Sequence, residues 1–244
     1  MWQPQLAAFP DHRVIAPDAR AHGESSTPQA GYRLVDDVLA LLDALGLPTV
    51  VVVGLSMGAG TAVDLAVTAP ERVRGLVVSG AGTSDPDFRD PWVLDIFRTW
   101  ERAIAEQDPE AWIGAFERFL HGPQRTVDQI SPDLVRLNDM MVRHSLTTHV
   151  LPVVARGRNP VRPTPVEHVN PARREIDVPV LAINGALDAD DHLRFARELL
   201  ELVPDGREVR IPDSAHYPNL EHPALFNDAL RDFVHRLALR GVAR

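Results

Sequence analysis

The chain has 244 residues, 45% of them hydrophobic, no cysteine and a formal charge of −9. That is enough chain for one domain with an insertion and a sizeable core; it excludes disulfides and thiolate metal centres, and the acidic balance argues against nucleic acid as a partner. All 25 basic residues are arginine, so chemistry that needs a lysine, such as a P-loop or a pyridoxal Schiff base, is excluded as well.

No run of eighteen apolar residues occurs, and Met1–Pro10 lacks the basic flank and apolar core of a signal peptide. A cytoplasmic protein without membrane partners is expected. The arginine- and alanine-rich composition fits GC-rich bacterial coding.

In chain order, Trp2–Phe9 has the pattern of a helix end. His12–Pro17 is expected as a short strand that turns at Asp18. Tyr32–Leu45 places Leu34, Val38, Leu41, Leu42 and Leu45 on one helix face, with Gly46 as its cap.

The run Val50–Val53 is β-branched and uncharged, lies between Pro48 and Gly54, and is expected as a strand buried on both faces. Gly54-Leu55-Ser56-Met57-Gly58 then turns sharply into a helix that stops before Pro70. A serine held between strand and helix with almost no loop projects its hydroxyl from the sheet end. Side chains at positions 54 and 58 are expected to collide with neighbouring backbone, which explains the two glycines. The helix N-terminus aims free amides at whatever binds Ser56 Oγ and favours an oxyanion there. Ser56 is therefore the candidate nucleophile. A rival reading takes Gly54, Gly58 and Gly60 as a dehydrogenase nucleotide turn, but that chemistry uses a Tyr-x-x-x-Lys pair.

Val73–Val78 is the next strand, and Ser79–Gly82 the turn beyond it. Between about Thr83 and Arg174 the alternation stops. Three helices are expected there, Pro91–Glu106, Pro109–His121 and Ser131–His149, the last with Ser131 as N-cap. Val153–Arg174 is looser and rich in proline and arginine. This all-helical insertion holds Trp92, Trp100, Trp112, Phe97, Phe116, Phe119, Met140 and Met141. It fits a lid that presents an apolar wall to substrate; for any single residue, packing of the lid on itself and on the core is the stronger expectation.

The α/β rhythm then resumes with a strand at Val178–Ile183, a helix at Asp191–Leu202, a strand at Arg207–Ile211 and a closing helix at Pro223–Leu239. Alternating strands and helices imply βαβ units and a mostly parallel sheet. In such sheets the site lies beyond the carboxyl ends of the strands, and Ser56, Asp188 and His216 all fall there.

Four pieces together resemble the α/β-hydrolase superfamily, in its esterase, enol-lactonase and carbon–carbon hydrolase branch. They are D-x-R-x-H-G-x-S at Asp18–Ser25, G-x-S-M-G at Gly54–Gly58, the N-G-x-x-D loop ending at Asp188, and H-x-x-x-x-E-x-P from His216 to Pro223. The resemblance implies a hydrolase core at 1–82 and 175–244 with a helical cap at 83–174. It implies Ser56 as nucleophile, His216 as general base and then acid, Asp188 orienting the imidazole, and the Met57 amide as one oxyanion donor. Asp190, Asp191 and Asp85 are the alternative acids. His22 is taken as a loop-shaping residue, and the remaining histidines lack metal-ligand spacing. A small, largely apolar ester, lactone or related carbonyl substrate is implied, hydrolysed through an acyl-enzyme without cofactor or metal. Serine in place of the aspartate of dehalogenating relatives points to that acyl intermediate. The alternatives are a cofactor-free haloperoxidase or perhydrolase activity, and a non-catalytic ligand-binding protein.

Members of this superfamily begin with further strands, and the third ends in a loop that donates a second oxyanion amide. Met1-Trp2-Gln3-Pro4 corresponds to the helix after that loop. The expectation is a natural start about thirty residues upstream, with a truncated, weakly active or merely binding product as the alternative.

Overall fold

The computed structural model describes residues 1–80 and 82–242, with side chains through residue 239. Four parallel strands form one sheet in the order β1-β2-β3-β4: β1 Val50–Leu55, β2 Val73–Ser79, β3 Val180–Gly185 and β4 Gly206–Ile211. Helices α1 Gln3–Ala8 and α11 Pro223–Val242 cover one face. Helices α2 Leu34–Ala44, α3 Met57–Thr68 and α9 Asp190–Leu202 cover the other.

Each face buries its own apolar set. Val77, Leu181, Ile183 and Ile211 meet Phe226 and Phe233 of α11, while Leu76, Val78, Val180 and Ala182 meet Val63, Leu65, Ala196 and Leu199 of α3 and α9. Alternate residues of one strand serve opposite faces, the period-2 rule of a sheet covered on both sides.

Helices α4 Pro91–Glu106, α5 Pro109–His121 and α6 Pro132–Ser145 begin where expected or within one residue. Proline stands at the first position of each, and the carboxylates of Asp90 and Asp108 accept the amides of Trp92 and Ala111. Ser131 occupies the N-cap position of α6 but its side chain makes no capping bond. The third helix is also not continuous: a π turn, Leu146–Val150, precedes α7 Leu151–Val154. Pro152 has no N–H for the Thr148 carbonyl and its ring would crowd it, so a wider turn is favoured there. A short α8, Val169–Ala172, returns the chain to the sheet, and a short α10, Pro218–Glu221, precedes α11.

Two strand expectations fail. His12–Pro17 forms no strand, and Val14 and Ile15 are about 40% and 39% exposed. No strand of the described residues pairs with this segment, and without a ladder an extended run neither counts as a strand nor buries its side chains. For the same reason Val50–Val53 is only half-buried: β1 pairs with β2 on one side and with no described strand on the other. In the expected turn after β2, Ala81 lies outside the described residues. Among the described residues no helix is long and apolar enough to cross a membrane.

Candidate active site

The turn from β1 into α3 is as tight as its glycine pattern implies. Ser56 sits at φ 54°, ψ −121°, a region an L-residue occupies only under strain held by its surroundings. Its N–H donates to the Ser79 carbonyl at 2.7 Å, which ties the elbow to the end of β2. A Cβ on Gly54 would come within 2.1 Å of the Gly58 carbonyl, so glycine is obligatory there. Position 58 differs from expectation, because a Cβ there would meet nothing within 4 Å. The tight neighbour is Gly60, whose added Cβ would lie 2.8 Å from the Thr83 carbonyl. Met57 opens α3, so helix geometry leaves its amide outside the ladder.

Asp188 and His216 come from the loops after β3 and β4. Asn184 and Gly185 bring those loops together: the Asn184 side chain accepts the Gly80 amide at 3.0 Å and donates to Glu208, and Gly185 lies against Ser214 and Ala215. Leu187 N–H donates to the Ser214 carbonyl at 2.9 Å. The histidine loop is held by Glu221, which accepts Ala215 N–H at 2.8 Å and Ser214 O–H at 3.0 Å. Arg125, just beyond α5, pairs with Glu221 at 2.8 Å. Glu221 is thus the reason for the E-x-P after the histidine.

His216 Nδ1 lies 2.9 Å from Asp188 Oδ2, and both side chains are buried. Gly80, at φ 68°, packs so close that a Cβ would be 2.7 Å from the His216 ring. Through Ser79 and Gly80 the elbow and the histidine are therefore neighbours, although no hydrogen bond joins Ser56 Oγ to His216. Such bonds commonly tighten only when substrate is bound.

Of the alternative acids, Asp191 is engaged elsewhere: it accepts the amides of Arg89 and Asp90 at 2.6 and 2.7 Å and pairs with Arg194. Asp190 donates its own amide to Asp90. Asp85 donates its amide to Thr83 and gives its carbonyl to Asn170. His22 contacts the Arg20 carbonyl within its own loop, as expected for a loop-shaping residue.

One partner escaped the sequence reading. His192 follows Asp188 by four residues, is buried, and places Nδ1 2.8 Å from Asp188 Oδ1. The facing atoms of Asp188, His192 and His216 all lie within 4.8 Å of one another, a separation at which three such groups could also gather round a cation; here they are engaged with each other as hydrogen-bond donors and acceptor. The signal was the i, i+4 spacing across a helix start, which returns a side chain over the preceding turn.

Burial opposes charge on Asp188, but the two imidazoles outweigh it and hold the carboxyl well below its usual range. Burial pushes His216 below 6.5, against the pull of Asp188 and with help from His192. The state these directions describe is an ionised Asp188 beside a neutral His216. Burial, and then the Asp188 charge, raise the Tyr217 phenol, which stays protonated.

Helices α4 and α5 give their aromatic residues two tasks. Trp100, Trp112 and Phe116 pack on one another with ring centroids 4.2 to 6.5 Å apart. Phe119 joins that set through Trp100 at 5.9 Å and also lies over His216 at 5.1 Å and over His192 at 5.8 Å, backed by Trp92. Two cavities lie away from Ser56, Asp188 and His216: an apolar void of about 20 Å³ near Trp112 and Leu146, and a groove of about 330 Å³ between β4 and α11.

Residues 1–223 match the sequence profile of the alpha/beta hydrolase fold family. The chain is 30% identical over 241 residues to 3-oxoadipate enol-lactonase 2 of Acinetobacter baylyi, covering 97% of this chain and 84% of the relative. It is 28% identical over 250 residues to the putative non-heme bromoperoxidase BpoC of Mycobacterium tuberculosis, covering 95% and 87%. Among solved structures it resembles the esterase RhEst1 from Rhodococcus sp. with a TM-score of 0.75 and 25% identity, over 96% of this chain and 84% of that one. An elbow serine, a buried acid–histidine pair beyond a parallel sheet and a profile match over most of the sequence lead to one assignment: the chain belongs to the α/β-hydrolase fold family.

Proposed function

We propose that this protein is a serine hydrolase that cleaves a small, largely apolar ester, lactone or related carbonyl compound through an acyl-enzyme. The observation that carries the reading is the 2.9 Å pair of Asp188 and neutral, buried His216 beside the strained Ser56 elbow. In this reading His216 Nε2 takes the Ser56 proton as Oγ attacks the carbonyl carbon, and the same proton then goes to the leaving oxygen. Water, deprotonated by His216, hydrolyses the ester formed on Ser56 and regenerates the hydroxyl. Asp188 fixes the Nδ1–H tautomer and stabilises the imidazolium that forms. The Met57 amide donates to the developing oxyanion. Residues 83–174 act as the cap, and Phe119 with Trp92 forms the apolar wall next to the histidine.

The test is intact mass after incubation with a fluorophosphonate, beside Ser56→Ala. One adduct on the parent and none on the variant is the expected result, and no adduct on a folded parent overturns the reading in favour of a binding protein. Hydrolysis of short p-nitrophenyl esters and lactones then identifies the acyl half. The likeness to a bromoperoxidase supports a second reading, perhydrolysis by the same residues; bromination in acetate, peroxide and bromide would reveal it.

A further inference from the structure

We propose that His192 is a positioning residue of the candidate triad, a second buried imidazole that shares the Asp188 carboxylate with His216 and sets both its orientation and its pull on His216. This inference rests on the serine-hydrolase reading above.

The geometry is specific. Asp188 Oδ1 accepts two donors, the Ala189 amide at 2.8 Å and His192 Nδ1–H at 2.8 Å. Only Oδ2 is left for His216, at 2.9 Å. A carboxylate anchored through one oxygen to a helix start cannot rotate without breaking both bonds, so the remaining oxygen stays aimed at His216. The two imidazoles stack at 4.2 Å with 26° between their planes. Both must be Nδ1–H tautomers, since an ionised carboxylate only accepts.

Sharing also alters the chemistry. A carboxylate that already satisfies a second N–H offers less stabilisation to an imidazolium at His216. Two stacked, buried imidazolium rings would repel strongly, so a single positive charge is the limit for the pair. During turnover the positive charge develops on His216, which takes the Ser56 proton, while His192 keeps its Nδ1–H on Asp188 Oδ1. The titratable groups facing the pair are Asp188 and the protonated Tyr217, while Phe88 and Phe119 supply the rest of the wall. Asp191, on the same helix as His192, is engaged with Arg89, Asp90 and Arg194.

The experiment uses full-length protein carrying 15N-labelled histidine, in EDTA. Long-range 1H–15N spectra of the parent should show two Nδ1–H tautomers with downfield protons, one of which disappears in His192→Phe. That variant keeps a stacked ring but removes the donor. The His216 titration should then move to higher pH by roughly one pH unit, and turnover of a p-nitrophenyl ester should fall by up to about a hundredfold in kcat with little change in KM. His192→Asn, whose side-chain amide can stand where Nδ1–H stands, should restore most of both. An Nε2–H tautomer at His192 in the parent overturns the proposal without any variant, and so does a His216 titration that is the same in parent and His192→Phe. Fluorophosphonate labelling of the parent is read separately. If Ser56 does not label while the shared tautomers and shifted titration are found, the hydrolase reading fails and the positioning of Asp188 by His192 stands.

Discussion

Gly185 lies so close to Ala215 that a Cβ on it would sit 2.0 Å from the Ala215 carbonyl oxygen. Since Asp188 follows Gly185 and His216 follows Ala215, this contact sets how near the loops of Asp188 and His216 can come. Gly185→Ala must push the loops apart. A cost of about 1–3 kcal/mol is expected, a fall in Tm of about 2–4 °C per kcal/mol, together with a loss of activity larger than the loss of folded protein. Calorimetry and p-nitrophenyl ester turnover on the same sample would check it.

The two elbow glycines should behave differently. Gly54→Ala meets the Gly58 backbone and should abolish labelling of Ser56, whereas Gly58→Ala has open space and should label at a rate within a few-fold of the parent. Equal loss in both variants would contradict this description of the turn.

Removal of the proposed nucleophile gives the largest expected effect. Ser56→Ala and His216→Ala should each reduce kcat by several orders of magnitude, and the double variant should be little worse than either, because the two groups act as a unit. Unfolding midpoints near the parent value would show that chemistry, not folding, has been lost.

The pH dependence follows from the direction of the His216 shift. Its folded-state value lies below the 6.5 of a free imidazole, so the folded protein favours the neutral ring. The stability this contributes is full above pH 6.5 and is lost as pH falls from 6.5 through the folded value. Asp188 is depressed from 3.8, so its contribution persists through that range and is lost only at still lower pH. Activity should likewise show an acid limb with a midpoint below 6.5. Urea unfolding and kcat/KM measured from pH 4 to 8 would test both, and a midpoint above 6.5 would refute the neutral, buried His216.

Arg125 and Glu221 are both nearly buried, at 12% and 6% side-chain exposure. Arg125→Met leaves Glu221 without its cation while it still holds the histidine loop, and a cost of roughly 3 kcal/mol is expected. Chemical denaturation should show the loss, and kcat should fall because the Ala215 and Ser214 bonds to Glu221 weaken.

Much of this architecture was legible in the sequence, for local reasons. Proline at helix starts, apolar spacing and β-branched runs placed four strands to within two residues, the two helices at Pro91–Glu106 and Pro109–His121 in full, and the strained serine at the strand–turn–helix junction with G-x-S-x-G. These signals depend on residues a few positions apart, so the chain states them without its fold. What failed or was missed depends on distant partners. Among the described residues, His12–Pro17 has a strand's composition but no ladder to join, and β1 carries four valines yet stands at an edge of the sheet. Gly58 is open where Gly60 is tight, because the Thr83 backbone, not the elbow itself, supplies the contact. Asp188 is distinguished from Asp190, Asp191 and Asp85 only by which carboxylate the β4 loop brings its histidine to. The sharing of that carboxylate with His192 has the same origin, since burial and crowding by Phe119 and Gly80 decide which imidazoles can reach it. Residue type and spacing determined the kinds of groups in the site; which of them meet, and in what state of charge, was decided by the packing of loops far apart in the chain.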